Sequence, residues 1–175
     1  MAVIRGYIAA SLDGRIVSGD GSLDWLFKYD DMDLGEHDYR LFLKGIRTVV
    51  MGRATYDFIA SENSPWAYGD QRVIVVTSRP IERPKGPLEI YADVDALIAE
   101  LRALEDGDVW MLGGGRLQMA FMERGALDEI EIYVIPEILG SGQPLFPLTG
   151  YRASPRLLSA KPIEKGCVRL HYRFS

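Results

Sequence analysis

The sequence predicts an α/β fold: a three-layer α-β-α sandwich around a mostly parallel sheet that ends in antiparallel strands. Three observations predict it. Apolar, β-branched runs alternate along the chain with segments of helical period, the order expected when crossover helices cover both faces of a sheet. The runs Arg47–Met51 and Arg72–Thr77 lack polar alternation, as central strands do. Glu129–Ile135 and Val168–Phe174 instead alternate with period two, which marks antiparallel strands near one edge.

The elements follow in chain order. Val3–Ala10 reads as the first strand, and a short helix over Glu36–Lys44 carries Tyr39, Phe42 and Leu43 on one face. After the strand at Arg47–Met51 a helix begins near Ala54. Arg72–Thr77 is built on Val73, Ile74, Val75 and Val76, and Leu88–Tyr91 follows it. Asp93 is placed to cap a helix whose Val94, Leu97, Ile98, Leu101 and Leu104 share a face. Asp108–Leu112 is a strand, and the helix over Arg116–Arg124 stops at Gly125, a residue type suited to the C′ position. No repeat, linker or low-complexity tract breaks this order, so residues 1–175 are expected to form one domain.

Composition narrows the function. Twenty Lys and Arg against 25 Asp and Glu give a net charge of −5, the wrong sign for a protein living on nucleic-acid phosphates, and no nucleic-acid partner is expected. One cysteine and two histidines are too few for a zinc site of N and S ligands, so no metal is expected either. His37 and His171 have no partners for a Ser-His-Asp arrangement, and Cys167 reads as a small apolar residue. No apolar run reaches the ~20 residues that span a bilayer, and the N-terminus lacks a signal-peptide core. A cytoplasmic enzyme or binding module is the expectation.

Three segments at strand C-termini, where open α/β sheets bind ligands, offer anion-binding chemistry. In Leu112-Gly113-Gly114-Gly115-Arg116-Leu117 a strand runs through three glycines into a helix, so that backbone N–H groups and a helix N-terminus can meet a phosphate. It matches neither the dinucleotide fingerprint, since Gln118 replaces the third glycine, nor the P-loop; a tight strand-to-helix turn explains the same residues. In Met51-Gly52-Arg53-Ala54-Thr55-Tyr56 an arginine and a threonine open a helix, ready for phosphate oxygens or as an ordinary surface pair. Val76-Thr77-Ser78-Arg79-Pro80 is a third such corner, or a plain turn before proline. One polyphosphate ligand accounts for all three together. A fourth segment, Ala9-Ala10-Ser11-Leu12-Asp13-Gly14-Arg15-Ile16, leads into an acidic stretch over Asp20–Asp38, either a solvated loop face or the source of a buried proton donor.

These four segments, in this order, resemble the dihydrofolate reductase superfamily over nearly the whole chain. The resemblance implies NADPH lying across the sheet and hydride transfer to a small-molecule substrate. It further implies that Arg53, Ser78, Arg79 and Arg116 surround the adenosine phosphates, with Thr55 on the pyrophosphate and Gly52 and Thr77 among the cofactor-binding residues. Leu112, Gly113, Gly114, Gly115 and Leu117 would line the pyrophosphate and nicotinamide, with Ala9, Ala10 and Ile16 near the nicotinamide. Arginines around a 2′-phosphate imply a preference for NADPH over NADH.

Within the superfamily, Ser11-Leu12-Asp13-Gly14 and Ile135-Pro136-Glu137-Ile138-Leu139-Gly140-Ser141-Gly142 resemble the reductase domain of the bifunctional riboflavin-biosynthesis deaminase-reductase, which reduces the open ribose of a phosphorylated aminopyrimidinone. The deaminase zinc signature is absent. Genuine dihydrofolate reduction is the alternative. Against it, Ile135 stands where folate reductases carry a pterin-binding threonine, and Gln71, next to Arg72, falls where they carry the folate arginine. A nucleotide-binding module without turnover is a third reading. Counting back from Gly52 puts the substrate carboxylate at Glu36, with Asp33 or Asp38 nearby, and makes Glu36 and Asp33 the candidate proton donors. Trp25, in a loop beside substrate, and Tyr56 complete the expected substrate contacts. The apolar face of Glu129–Ile138 is a candidate homodimer contact.

Overall fold

The computed structural model describes all 175 residues. Its strands are β1 (Ile4–Ser11), β2 (Arg15–Val17), β3 (Ile46–Gly52), β4 (Arg72–Val76), β5 (Glu89–Tyr91), β6 (Asp108–Gly113), β7 (Glu129–Ile135), β8 (Gln143–Pro144), β9 (Arg156–Pro162) and β10 (Val168–Arg173). The helices are α1 (Asp24–Phe27), α2 (Tyr39–Gly45), α3 (Arg53–Ser61), α4 (Val94–Arg102) and α5 (Gly115–Glu123), with 3₁₀ turns at Gly35–His37 and Glu164–Gly166. Eight strands form one sheet in the order β5-β4-β3-β6-β1-β7-β10-β9, parallel from β5 to β7 and antiparallel at β10. The predicted α/β class and the antiparallel ending are both seen.

Side-chain alternation divides the sheet into two packed faces. Ile130 and Ile132 of β7 join Ile4, Val50 and Ile74 in a core closed by Leu97 and Leu101 of α4 and Phe121 of α5. On the opposite face Val49, Met51, Val73, Val75 and Trp110 pack under Tyr56 of α3 and Tyr39 and Phe42 of α2. The helices end by local chemistry. The Asp93 carboxylate accepts the Asp95 and Ala96 N–H groups at 2.9 and 3.1 Å, as expected of an N-cap. Gly125, at φ +61°, donates to the Met122 carbonyl, and Ala126 to that of Phe121, which is a Schellman ending.

Three features depart from the expectation. The helix over Glu36–Lys44 is a 3₁₀ turn followed by α2, because the Asp38 carboxylate accepts the Arg40 N–H at 2.8 Å and starts the helix there. Arg156–Pro162 is an edge strand that mostly exposed residues hide from pattern reading, and β2 and β8 pair separately. Finally, β7 lies between β1 and β10 and is largely buried. Its apolar face is therefore spent inside the protomer, so most of Glu129–Ile138 cannot serve as the homodimer contact.

Candidate active site

The C-terminal ends of β4, β3 and β6 are neighbours on one edge of the sheet, so the three candidate corners converge. At β3 and β6 the strand passes directly into a nine-residue helix, and Gly52 and Gly114 stand at the N-cap positions of α3 and α5 with no side-chain cap on either. The first N–H groups of both helices are thus left for a ligand. The two turns touch: a Cβ added to Gly52 would lie 3.7 Å from the Gly114 nitrogen, and one added to Gly114 would lie 3.4 Å from the Thr55 hydroxyl. Gly113, at φ +130°, holds a conformation that favours glycine, and the Gly113–Gly114 peptide is cis.

Arg53 spans two corners. Its Nε donates to Asp57 at 2.8 Å and its Nη1 to the carbonyls of Arg79 and Pro80 at 3.3 and 3.1 Å. The Thr77 hydroxyl accepts the Arg79 N–H at 3.1 Å and shapes the same turn. Ser78, Arg79 and Arg116 are exposed, and neither arginine has an ion-pair partner. Gly115 is buried against the Pro144 carbonyl, and Leu117 packs beside Gly52.

From this edge a cleft of about 640 Å³ runs between the sheet and the segment around α1. Ala9, Ile16, Thr55, Leu112, Gly113 and Gly114 line one end. Ala10 does not: it points into the core on the other sheet face. The other end is a set of rings, among them Tyr7, Tyr39, Tyr68, Trp110 and Tyr133. Tyr7 and Tyr133 both direct their hydroxyls at the His37 carbonyl, at 3.5 and 3.3 Å. Burial raises the pKa of Tyr39 to about 12, and burial also raises those of Tyr7, Tyr68 and Tyr133, so these hydroxyls stay neutral.

The structure does not bring the expected substrate residues to this cleft. Glu36 is exposed on the outer surface and paired with Lys161, whose hydrogen bond and charge hold its carboxyl below the usual range. Asp33 caps its own turn, accepting the Gly35 N–H at 2.8 Å. Both carboxylates face a separate surface hollow beside Lys161 and Glu164. Tyr56 is buried in the core under α3, its hydroxyl accepting the Lys85 N–H at 3.0 Å. Trp25 packs against Tyr133, Ile135 and Cys167 behind the wall of which Leu26 forms the inner surface. The carboxylate that does line the cleft is Asp30, which follows α1 and has no ion-pair partner. The acidic stretch contained it, but its position depends on how the chain from residue 28 to 34 folds back.

A model of the RibD C-terminal domain matches residues 47–171. The chain belongs to that family. It is 35% identical to the Bacillus subtilis (strain 168) protein YwjB over 167 residues, covering 95% of this chain and 94% of that one. A second protein of the same organism, YyaP, is 26% identical over 179 residues, at 96% and 93% coverage. Neither relative has a characterised function. Among solved structures, a Shewanella sp. PV-4 protein assigned provisionally to riboflavin biosynthesis superposes with a TM-score of 0.87 at 27% identity, covering 100% of this chain and 99% of that one. A dihydrofolate reductase from Enterococcus faecalis complexed with NADP(H) superposes at 0.66 with 20% identity, covering 99% and 96%, and shows the shared fold. The RibD protein of Acinetobacter baumannii gives 0.70 at 18% identity, with 100% of this chain matching 58% of that one. The dihydrofolate-reductase-like fold of this RibD C-terminal domain chain therefore stands on both sequence and structure.

Proposed function

We propose that this RibD C-terminal domain chain, acting as a single domain, is an NADPH-dependent reductase. Its substrate is a small ring compound, pteridine- or pyrimidine-like, with a C=N or C=O bond to be reduced. The observation that carries the reading is the convergence of two uncapped helix N-termini at Gly52 and Gly114 beside a cleft of matching size. Family membership and fold neighbours described as reductases support it.

The residues present fit the cofactor. The paired glycine turns leave room and free N–H groups for a pyrophosphate, and Arg79 and Arg116 are free for a terminal phosphate. Bound NADPH supplies the hydride. The chain orients and dries the reacting pair: Ala9, Ile16 and Leu112 are apolar surfaces against which a nicotinamide ring can lie, and the aromatic end excludes water. Asp30, exposed at the cleft, is the carboxylate placed to orient a water that carries the proton to the acceptor. Arg72 is engaged by Glu89 at 2.6 Å and Glu100 at 2.7 Å, which counts against its serving as the anchor of a folate tail.

The deciding experiment titrates NADPH and NADH separately into the protein and follows energy transfer from tryptophan, since Trp110 lines the cleft. Micromolar NADPH binding with weaker NADH binding is expected; silence with both overturns the reading. A homodimer in the cytoplasm is part of the same proposal. Its contact is the exposed apolar group Phe146, Leu148 and Tyr151 rather than Glu129–Ile138. Sedimentation showing only a 19.6 kDa species would remove it.

A further inference from the structure

We infer that the acceptor end of the cleft takes a neutral, planar ring compound without phosphate or carboxylate groups. The inference rests on the reductase reading for its cofactor, and the juxtaposition of an aromatic cleft with a lining that holds no lysine or arginine carries it.

The cleft is electrically lopsided. No lysine or arginine lines it, and Asp30 is the one charged residue that does. The basic residues of the surrounding elements are held elsewhere. Lys28 pairs with Glu137, Lys161 with Glu36, and Lys165 with Asp31. Arg169 pairs with Glu131 at 2.7 Å, and Arg5 with Asp108 at 2.9 Å. Arg40 pairs with Asp38 at 3.2 Å; Arg15 has no ion pair, its Nη1 donates to the Gly142 carbonyl at 3.3 Å, and it lies outside the cleft lining. Arg79 and Arg116, which have no ion-pair partner, are at the opposite end, by the glycine turns.

An anionic substituent entering the aromatic end would lose its hydration and gain no partner, with Asp30 adding repulsion. A flat neutral ring would lose little and stack on Tyr7, Tyr39, Trp110 or Tyr133. The tyrosine hydroxyls, kept neutral by burial, add no charge to this balance. A single carboxylate at the acceptor can accept hydrogen bonds from ring N–H or amino groups, which favours amino- or amide-bearing heterocycles.

The test uses pterin and 6-carboxypterin, fluorescent rings differing by one carboxylate, titrated into the NADPH-saturated protein at neutral pH. Pterin is expected to bind at least about tenfold more tightly, the scale of one unpaired charge. Equal or tighter binding of the carboxylate, or binding of neither probe, overturns the inference. Asp30→Asn removes the one charge of the cleft lining and should shrink the ratio several-fold; an unchanged ratio means that charge does not set it. Loss of NADPH binding would be seen separately in the nicotinamide signal and would sink the reductase reading alone. The pterin ratio, measured then without cofactor, still decides the inference.

Discussion

Arg169 on β10 and Glu131 on β7 form a buried ion pair, Nη2 to Oε2 at 2.7 Å and Nε to the same oxygen at 2.8 Å, with side-chain exposures of 6% and 11%. Ser159 of β9 accepts from the same guanidinium at 2.9 Å, so one arginine ties together the three strands at that end of the sheet. The pair is on the face that also bears Tyr7 and Tyr133.

Breaking such a pair from one side strands a buried charge. Arg169→Met is expected to cost about 3–5 kcal/mol in urea unfolding, since Glu131 is left buried without its partner. The double variant Arg169→Met/Glu131→Leu should recover most of that loss. A single variant within about 1 kcal/mol of the parent would show that water reaches Glu131 and that the pair is peripheral.

The glycine turn is open to a sharper test. Gly113 has space around it, with no atom within 4 Å of an added Cβ, so a substitution there acts through φ rather than through a clash. Forcing alanine to φ +130° costs about 1–3 kcal/mol, and the turn is expected to relax away from its present shape. Gly113→Ala should therefore weaken NADPH binding at least tenfold while the far-ultraviolet spectrum stays native. Unchanged NADPH affinity would detach this turn from the cofactor.

How much of this was legible in the sequence follows from how local the determinants are. Gly52, Asp93, Gly113 and Gly125 act within their own turn, so their roles as caps and strand ends could be read from neighbours in the chain. The fold class followed likewise from runs such as Val73–Val76. The acceptor end did not, because α1 is only four residues long and the chain from 28 to 34 is placed by Tyr29 bonding Glu137 and Lys165 bonding Asp31, contacts over 100 residues apart. Counting back from Gly52 reaches Glu36, but Glu36 sits in a 3₁₀ turn ahead of α2 and pairs with Lys161 on the outer surface. Tyr56 was recoverable: three residues into α3, it falls on the face that meets the sheet.

Arg53 and Arg79 should behave differently, although both were placed on the cofactor phosphates by resemblance. The Arg53 guanidinium is already satisfied by Asp57 and two carbonyls, whereas Arg79 has no ion pair. Arg79→Ala is expected to weaken NADPH about tenfold and leave NADH nearly unchanged, as loss of one charge-assisted contact to a 2′-phosphate would. Arg53→Ala should weaken both cofactors, because it releases the turn at Arg79 and Pro80. If Arg79→Ala weakens the two cofactors equally, the 2′-phosphate lies elsewhere.

The loop that carries Ile16 to the cleft is fastened by Asp13. Its carboxylate accepts the Ser11 hydroxyl at 2.6 Å and the N–H groups of Leu139 and Gly140 at 3.1 and 2.8 Å, which join the loop after β1 to the one after β7. Those bonds, the Ser11 hydroxyl foremost, lower its pKa to about 2 from an ordinary 3.8. A carboxylate depressed on folding stabilises the native state above its unfolded pKa, and that contribution disappears as pH falls through the folded value. The stability gap between the parent and Asp13→Asn should thus be constant above pH 5 and close between roughly pH 4 and 2. Unfolding followed by circular dichroism across that range measures it. A gap that does not change with pH would mean that the neutral amide serves the two N–H groups as well as the carboxylate, and that charge contributes nothing to the clamp.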